Sequence, residues 1–149
     1  MESYPPHNVI PIDEEYIYII KKGMIKCSFV DKDQNTDLLV LVEEDIFGNA
    51  ELIDLLPFKC GIQYSSLENT CLFLITKKQW NSYVLSLASL SEVWMELIDR
   101  QRCITNVWLG QFRRVRKEKL LVRLLQEKPQ LLKRDRLRHV CRILNIEQE

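Results

Sequence analysis

The apolar pattern of this chain changes period once, at Thr76, and that change limits the fold more than any other feature. Before it, short runs of β-branched and aromatic residues are separated by turn signals. "EYIYII" leads through a "KKG" turn to "MIKCSFV", the polar loop "DKDQNTD" follows, and "LLVLVEED" is the next run. After a glycine turn, "AELIDLL" reads as a short helix before Pro57, and "CGIQYSS" and "TCLFLIT" follow, parted at "LEN". Short strands at near-regular spacing predict a β-sandwich or small barrel. "PPHNVIP" gives only an extended lead-in.

Beyond Thr76 the period is helical. Thr76 suits an N-cap for "TKKQWNSYVLSL". A much longer helix is expected from Ser91, which can cap it, to Pro129, which stops it. Trp94, Ile98, Thr105, Trp108, Phe112 and Val115 form one apolar row along it, with Gln101 inside the series and Val93, Leu97, Ile104 and Val107 beside it. A stripe this wide exceeds what one neighbour requires. At about 1.5 Å per residue the helix spans roughly 50 Å or more and outreaches a domain of this size. The expectation is a homodimer, with Trp94, Ile98, Trp108, Phe112 and Val115 facing the mate; the alternative is a core helix in a monomer.

Past Pro129, Leu137, Val140, Cys141 and Leu144 recur at helical spacing, Asn145 suits a left-handed C-cap, and Ile146 re-enters a core. Glu147 and Gln148 suit the first turn of a further helix. This is the first helix and turn of a helix-turn-helix, and the sequence ends where the second helix is expected. The expected division is residues 1–90 for the β domain, 91–128 for the dimer helix and 129–149 for the partial DNA-binding motif. The class is α+β.

The net charge of zero conceals a split. Residues 1–75 carry 13 Asp/Glu against 5 Lys/Arg, and residues 76–149 carry 8 against 16. Such asymmetry fits either an anionic partner for the C-terminal half or a solvated helical face, and charge alone does not choose between them. With 46% hydrophobic and 28% charged residues, the composition is that of an ordinary folded protein. No apolar run reaches the roughly 18 residues of a membrane span, and "MESYPPHNVIPIDEE" is no signal peptide. A cytoplasmic protein is expected, with no membrane partner. Five cysteines, far apart and odd in number, suggest reduced structural thiols, with neither a disulfide framework nor a metal site. His7 and His139 fit no catalytic pattern, and no Ser/His/Asp, HExxH or P-loop arrangement is present. No enzyme and no cofactor are expected.

"DIFGNAELIDLLPFKCGI", residues 45–62, has the form of a strand end, a glycine turn and a short helix, which can cradle a phosphate on backbone N–H groups. Its pocket candidates are Phe47, Gly48, Asn49, Glu51, Lys59 and Cys60, and Lys59 is its one cation.

The order of these parts, from "IYIIKKGMIK" through "DIFGN" to "RDRLRHVCRILNIEQE", resembles the Crp/Fnr family of bacterial transcription regulators over about Ile10 to Glu149. The resemblance implies a cyclic-nucleotide-binding-like β-roll of double-stranded β-helix or jelly-roll type. It also implies a dimer helix and a DNA-binding helix-turn-helix. In that family a glutamate just after Phe-Gly holds the ribose, and an Arg-Ser or Arg-Thr pair further on meets the cyclic phosphate. Here Asn49 stands at the glutamate position, with Glu51 two residues on. The arginine position falls on Cys60, with Lys59 one residue early, which on a strand points to the opposite face. An unneutralised phosphodiester in a low-dielectric pocket costs several kcal/mol, and a helix N-terminus returns only about 0.3–2 of it. The pocket is therefore expected not to bind cyclic AMP. It either takes another small-molecule effector or is filled by its own side chains.

Arg134, Arg136, Arg138 and Arg142 are the expected DNA-phosphate contacts, and Arg113, Arg114, Arg116 and Lys117 mark the approach to them. Phosphate contacts position without specifying, and base readout comes from the second helix of the motif, so the chain as written is not expected to read sequence. The other reading is a sensory or scaffold module that acts through protein contacts. The missing pocket arginine and incomplete motif favour it, whereas the basic C-terminal half favours the regulator.

Overall fold

The computed structural model describes residues 1–32, 34–48 and 61–146, without the side chains of residues 84, 85, 88 and 134. The strands are β1 (Glu2–Tyr4), β2 (Val9–Ile10), β3 (Tyr16–Lys22), β4 (Ile25–Val30), β5 (Asn35–Leu41), β6 (Ile46–Phe47), β7 (Ile62–Ser66) and β8 (Thr70–Thr76). They form two four-stranded sheets, ordered β1-β8-β3-β6 and β2-β7-β4-β5, and every pairing is antiparallel. The expected strands all form. The extended lead-in does more than expected, since β1 and β2 each add an edge strand, one to each sheet. The "AELIDLL" helix lies outside the described residues.

Four helices follow among the described residues: α1 (Lys77–Ser86), α2 (Ala88–Leu109), α3 (Lys117–Glu127) and α4 (Arg134–Leu144). Thr76 caps α1 as expected, its side-chain oxygen accepting from the Gln79 N–H at 3.1 Å. Asn145 ends α4 with φ 58° and ψ 44°, the left-handed cap its sequence position suggested. Pro129 follows the end of α3 and opens a 3₁₀ turn, Pro129–Leu132.

The single helix expected over 91–128 is corrected. It begins earlier, at Ala88, and breaks after Leu109 into a 3₁₀ turn, Gly110–Phe112. Arg113 and Arg116 are extended, and α3 starts at Lys117. Two causes act together. The cations at Arg113, Arg114, Arg116 and Lys117 repel one another around the β-branched Val115. Gly110 lets α3 fold back closely, because a Cβ there would lie 2.6 Å from Leu120 Cδ2. The apolar row of the sequence carries on through the break as Phe112 and Val115, and the inward residues of α3 are instead Leu120 and Leu124.

One core cluster runs from the roll (Tyr18, Ile20, Leu38, Phe47, Leu72) into the helices (Trp108, Leu120, Leu124, Leu131, Val140, Leu144). It crosses both 90/91 and 128/129. A second cluster sets Ile17 and Ile46 against Trp80, Trp94 and Leu97.

Candidate functional site

The interior of the roll is built around Phe47. It stacks on Tyr18 with centroids 5.2 Å apart and meets Tyr64 at 4.9 Å. Tyr18 is held in turn by its hydroxyl, which accepts from the Asp13 N–H at 2.9 Å. Gly48 then turns the chain with φ 77°, and a Cβ there would lie 2.9 Å from Tyr18 Cδ2. Only glycine fits that turn against that ring. Among the described residues, a space of about 20 Å³ lies between Cys27, Leu39, Phe47 and Tyr64 of the roll and Gln101 and Thr105 of α2. Burial pushes the Cys27 thiol up to about 12, even with its hydrogen bond to Tyr64 lowering it, and raises the Tyr64 phenol as well.

Gln101, the polar residue inside the apolar row, closes this interior. Its Oε1 accepts from the Ile46 N–H at 3.1 Å, and among the described residues its buried Nε2 has no partner. Of the expected pocket residues, Phe47 and Gly48 are brought together at this turn. Asn49, Glu51, Lys59 and Cys60 lie outside the described residues. Among those described, no group of His, Cys, Asp and Glu is placed to hold a metal ion.

The turn just before Phe47 carries the features that sequence reasoning missed. Asp45 is buried. Its Oδ2 accepts from the Val42 N–H at 2.7 Å, and its Oδ1 lies 2.6 Å from Lys128 Nζ, at the end of α3. Burial raises the Asp45 carboxyl despite the Lys128 charge. Two residues earlier, Glu43 meets Arg136 of α4 at 2.8 and 2.9 Å. Arg136 also pairs with Glu68 at 2.6 Å and donates weakly to the Gly23 carbonyl at 3.4 Å. Burial alone would raise Glu43, but hydrogen bonding and charge from Arg136 outweigh it and leave this carboxyl below its ordinary value. Burial likewise opposes the charge on Arg136, and the two glutamates more than offset it. The only sequence signal was the acidic "EED" turn, which has no cation near it in the sequence. Its cations come from far along the chain.

Arg136, expected as a DNA contact, is therefore corrected. It is 3% exposed and fixes α4 to the roll. The reason is the helical face: Arg136, Val140 and Leu144 share the inward stripe at four-residue steps. Arg138 and Arg142 are exposed, as are Arg113, Arg114, Arg116 and Lys117, and the Arg134 side chain is not described. The expected dimer row is also corrected in part. Ile98 and Trp108 are buried inside the chain itself, and Trp94 is half-buried against Trp80 at 5.0 Å. The fold-back of α3 and the roll cover the face that the sequence left for a mate. Phe112 and Val115 remain open, at 46% and 41% exposure. They lie near an apolar groove of about 800 Å³ between α2 and α3, lined in part by Val107, Val115, Leu120 and Val122.

The chain is a two-sheet antiparallel roll closed at a Phe-Gly turn, with a helix packed across its mouth. No family model and no curated protein matches the chain. Solved structures do. FixK2 from Bradyrhizobium japonicum matches with a TM-score of 0.66 at 14% identity, covering 97% of this chain and 76% of that one. A cyclic nucleotide-binding domain containing protein from Listeria monocytogenes EGD-e matches at 0.69 and 13% identity, covering 98% and 75%. A CooA variant from Carboxydothermus hydrogenoformans matches at 0.58 and 14%, covering 84% of this chain; the chain spans 55% of that protein's length. The fold is thus the cyclic-nucleotide-binding fold of Crp/Fnr-type regulators, as the sequence resemblance implied. No described helix is long and apolar enough to cross a membrane.

Proposed function

We propose that this chain is a transcriptional regulator of the Crp/Fnr type, acting as a dimer on DNA, with a roll that does not bind cyclic AMP. It is read as a non-catalytic, cytoplasmic protein. The observation that carries the reading is the helical order after the roll: a bracing helix, a fold-back helix, and α4 ending in a left-handed Asn145 cap, the geometry of the first half of a helix-turn-helix. Exposed Arg138, with Arg113, Arg114, Arg116 and Lys117, supplies cations for phosphate contact. Within this reading, residues 1–90 serve as the effector roll, 91–128 as the dimer element and 129–149 as the DNA-binding element, on one continuous core.

For the roll, the support is size. Among the described residues, the space beside Phe47 and Tyr64 is about 20 Å³ and holds no more than a water, whereas ligand pockets typically run to ~300 Å³ or more. For the dimer, the support is the exposed Phe112 and Val115 beside the apolar groove, in place of the wider row first expected.

A salt titration of duplex binding tests the DNA reading. Each lost phosphate contact removes about 0.9 from the log–log slope, so Arg113→Ala with Arg138→Ala flattens it by nearly two. An unchanged slope overturns the reading. The second reading, a module acting through protein contacts, is favoured by one observation: Arg136 is withdrawn from the surface into the roll.

A further inference from the structure

A second, separate hollow lies between the roll and α4, away from the Phe47 interior. It measures about 120 Å³. His7 and Lys26 line it from the roll, and His139 and Arg142 line it from α4, with Asp37 the one carboxylate in the lining. These groups are positioned by the fold. His7 sits at φ 64°, an uncommon conformation for a side-chain-bearing residue, and its N–H donates to the Ser66 carbonyl at 2.7 Å. Lys26 Nζ lies 3.3 Å from Asp37 Oδ1, which also accepts from Ser28 Oγ at 2.9 Å. The carboxylate is thus engaged by Lys26 and Ser28. Among the described residues, no carboxylate pairs with Arg142.

The result is a concave site with cationic and imidazole donors in excess over acceptors. Its volume equals about four waters at ~30 Å³ each, which leaves room for one phosphate group. We propose that this hollow binds the phosphate group of a small phosphate-bearing molecule, held by Arg142 and Lys26 and hydrogen-bonded by His7 and His139. Arginine and lysine suit this task as charge-assisted donors, arginine through its planar fork. Because the donors come from both the roll and α4, the bound phosphate would bridge them. The hollow opens between two packed elements, which suits a single terminal phosphate better than the rigid backbone of a duplex.

The electrostatics agree with the geometry. Burial, then the charges of Arg142 and Lys26, and more weakly His7, hold the His139 imidazole below its ordinary range, while Glu68 pulls the other way. A bound dianion reverses the sign of the local field, so it raises the His139 pKa and binds with proton uptake. This inference stands apart from the DNA reading, and either can fail alone.

The test follows the His139 imidazole by NMR across pH, in chloride and in inorganic phosphate at matched ionic strength. Parallel samples hold adenosine 5′-monophosphate or a short duplex. The expected result is a saturable rise in the His139 pKa of about half a unit or more with both small phosphates. Arg142→Gln should weaken phosphate binding about tenfold and, without ligand, raise the His139 pKa. His139→Gln, at a half-buried position, should weaken binding without unfolding the chain, read by phosphate-dependent shifts of the α4 amides. The proposal is overturned if phosphate moves His139 no more than chloride does. It is equally overturned if Arg142→Gln binds phosphate as wild type does, or if the duplex alone produces the shift, which would assign the hollow to a DNA interface.

Discussion

Replacing Arg136 with methionine should loosen α4 from the roll. Methionine retains an apolar stem beside Val140 and Leu144 and removes all the charge-assisted contacts to Glu43 and Glu68. Breaking a fully buried ion pair costs about 3–5 kcal/mol, mostly because the surviving charge stays unpaired. Here the survivors have an escape, since the side chains of Glu43 and Glu68 are 24% and 37% exposed and can rehydrate. The expected loss is therefore smaller, about 2–3 kcal/mol. For a chain of this size that corresponds to a fall in Tm of roughly 4–12 °C.

Urea denaturation measures the loss directly, with the midpoint falling at constant slope. Amide exchange should locate it, with the backbone of α4 losing more protection than β3 or β8. Glu68→Gln should cost less than Arg136→Met, because Glu43 still holds the guanidinium at 2.8 Å. A loss below about 0.5 kcal/mol for Arg136→Met would place these contacts among ordinary surface pairs and refute the reasoning.

Trp108→Ala should cost about 3–5 kcal/mol independently of protein concentration, since this ring belongs to the chain's own core, and dilution-series unfolding checks it. Phe112→Glu should leave monomer stability nearly unchanged and lower the association constant in sedimentation if the groove side meets a second copy. Gly48→Ala should destabilise by about 1–3 kcal/mol, because its φ of 77° and the Tyr18 ring both exclude a Cβ; thermal unfolding measures it. Asp45→Asn keeps an acceptor for the Val42 N–H and removes a carboxyl whose pKa is raised in the fold. The folded state therefore holds that proton more tightly, and ionisation costs wild-type stability as pH rises above the ordinary carboxylate value. The stability difference should shift in favour of Asn across that rise and then level off, and urea melts from pH 3.5 to 7 follow it. Calorimetry with cyclic AMP at millimolar concentration should show no binding heat, since Cys60 stands where the phosphate-binding arginine is expected and the described space beside Phe47 is only about 20 Å³.

The roll was legible because its information is local. Each strand of Tyr16–Lys22, Ile25–Val30 and Thr70–Thr76 declares itself by composition and is closed by its own turn residues. The caps at Thr76 and Asn145 were legible for the same reason. The break at Gly110 was not, because apolar residues at helical spacing continue past it as Phe112 and Val115, although the fold leaves both exposed. Nothing in the sequence said that Leu120 would return to within reach of Gly110. A wide apolar stripe has two solutions, a second chain or a fold-back of the same chain, and periodicity cannot choose between them. Arg136 was misread for a related reason. Among four arginines in one helix, composition ranks them equally, and only the partner surface decides which one turns inward.

That partner surface is a single acidic turn. Glu43 anchors α4 through Arg136, and Asp45 anchors the end of α3 through Lys128 while tying down the Val42 N–H. Glu44 between them is held at φ 76°. One residue past Asp45, the Ile46 N–H is fixed by Gln101 of α2, and Phe47 is locked between Tyr18 and Tyr64. Within five residues the chain thus contacts α2, α3, α4 and the interior of the roll. The contacts that hold α3 and α4 and the ring packing inside the roll meet at one turn, and each can be removed singly: Glu43 with Arg136, Asp45 with Lys128, and Gln101 with the Ile46 N–H.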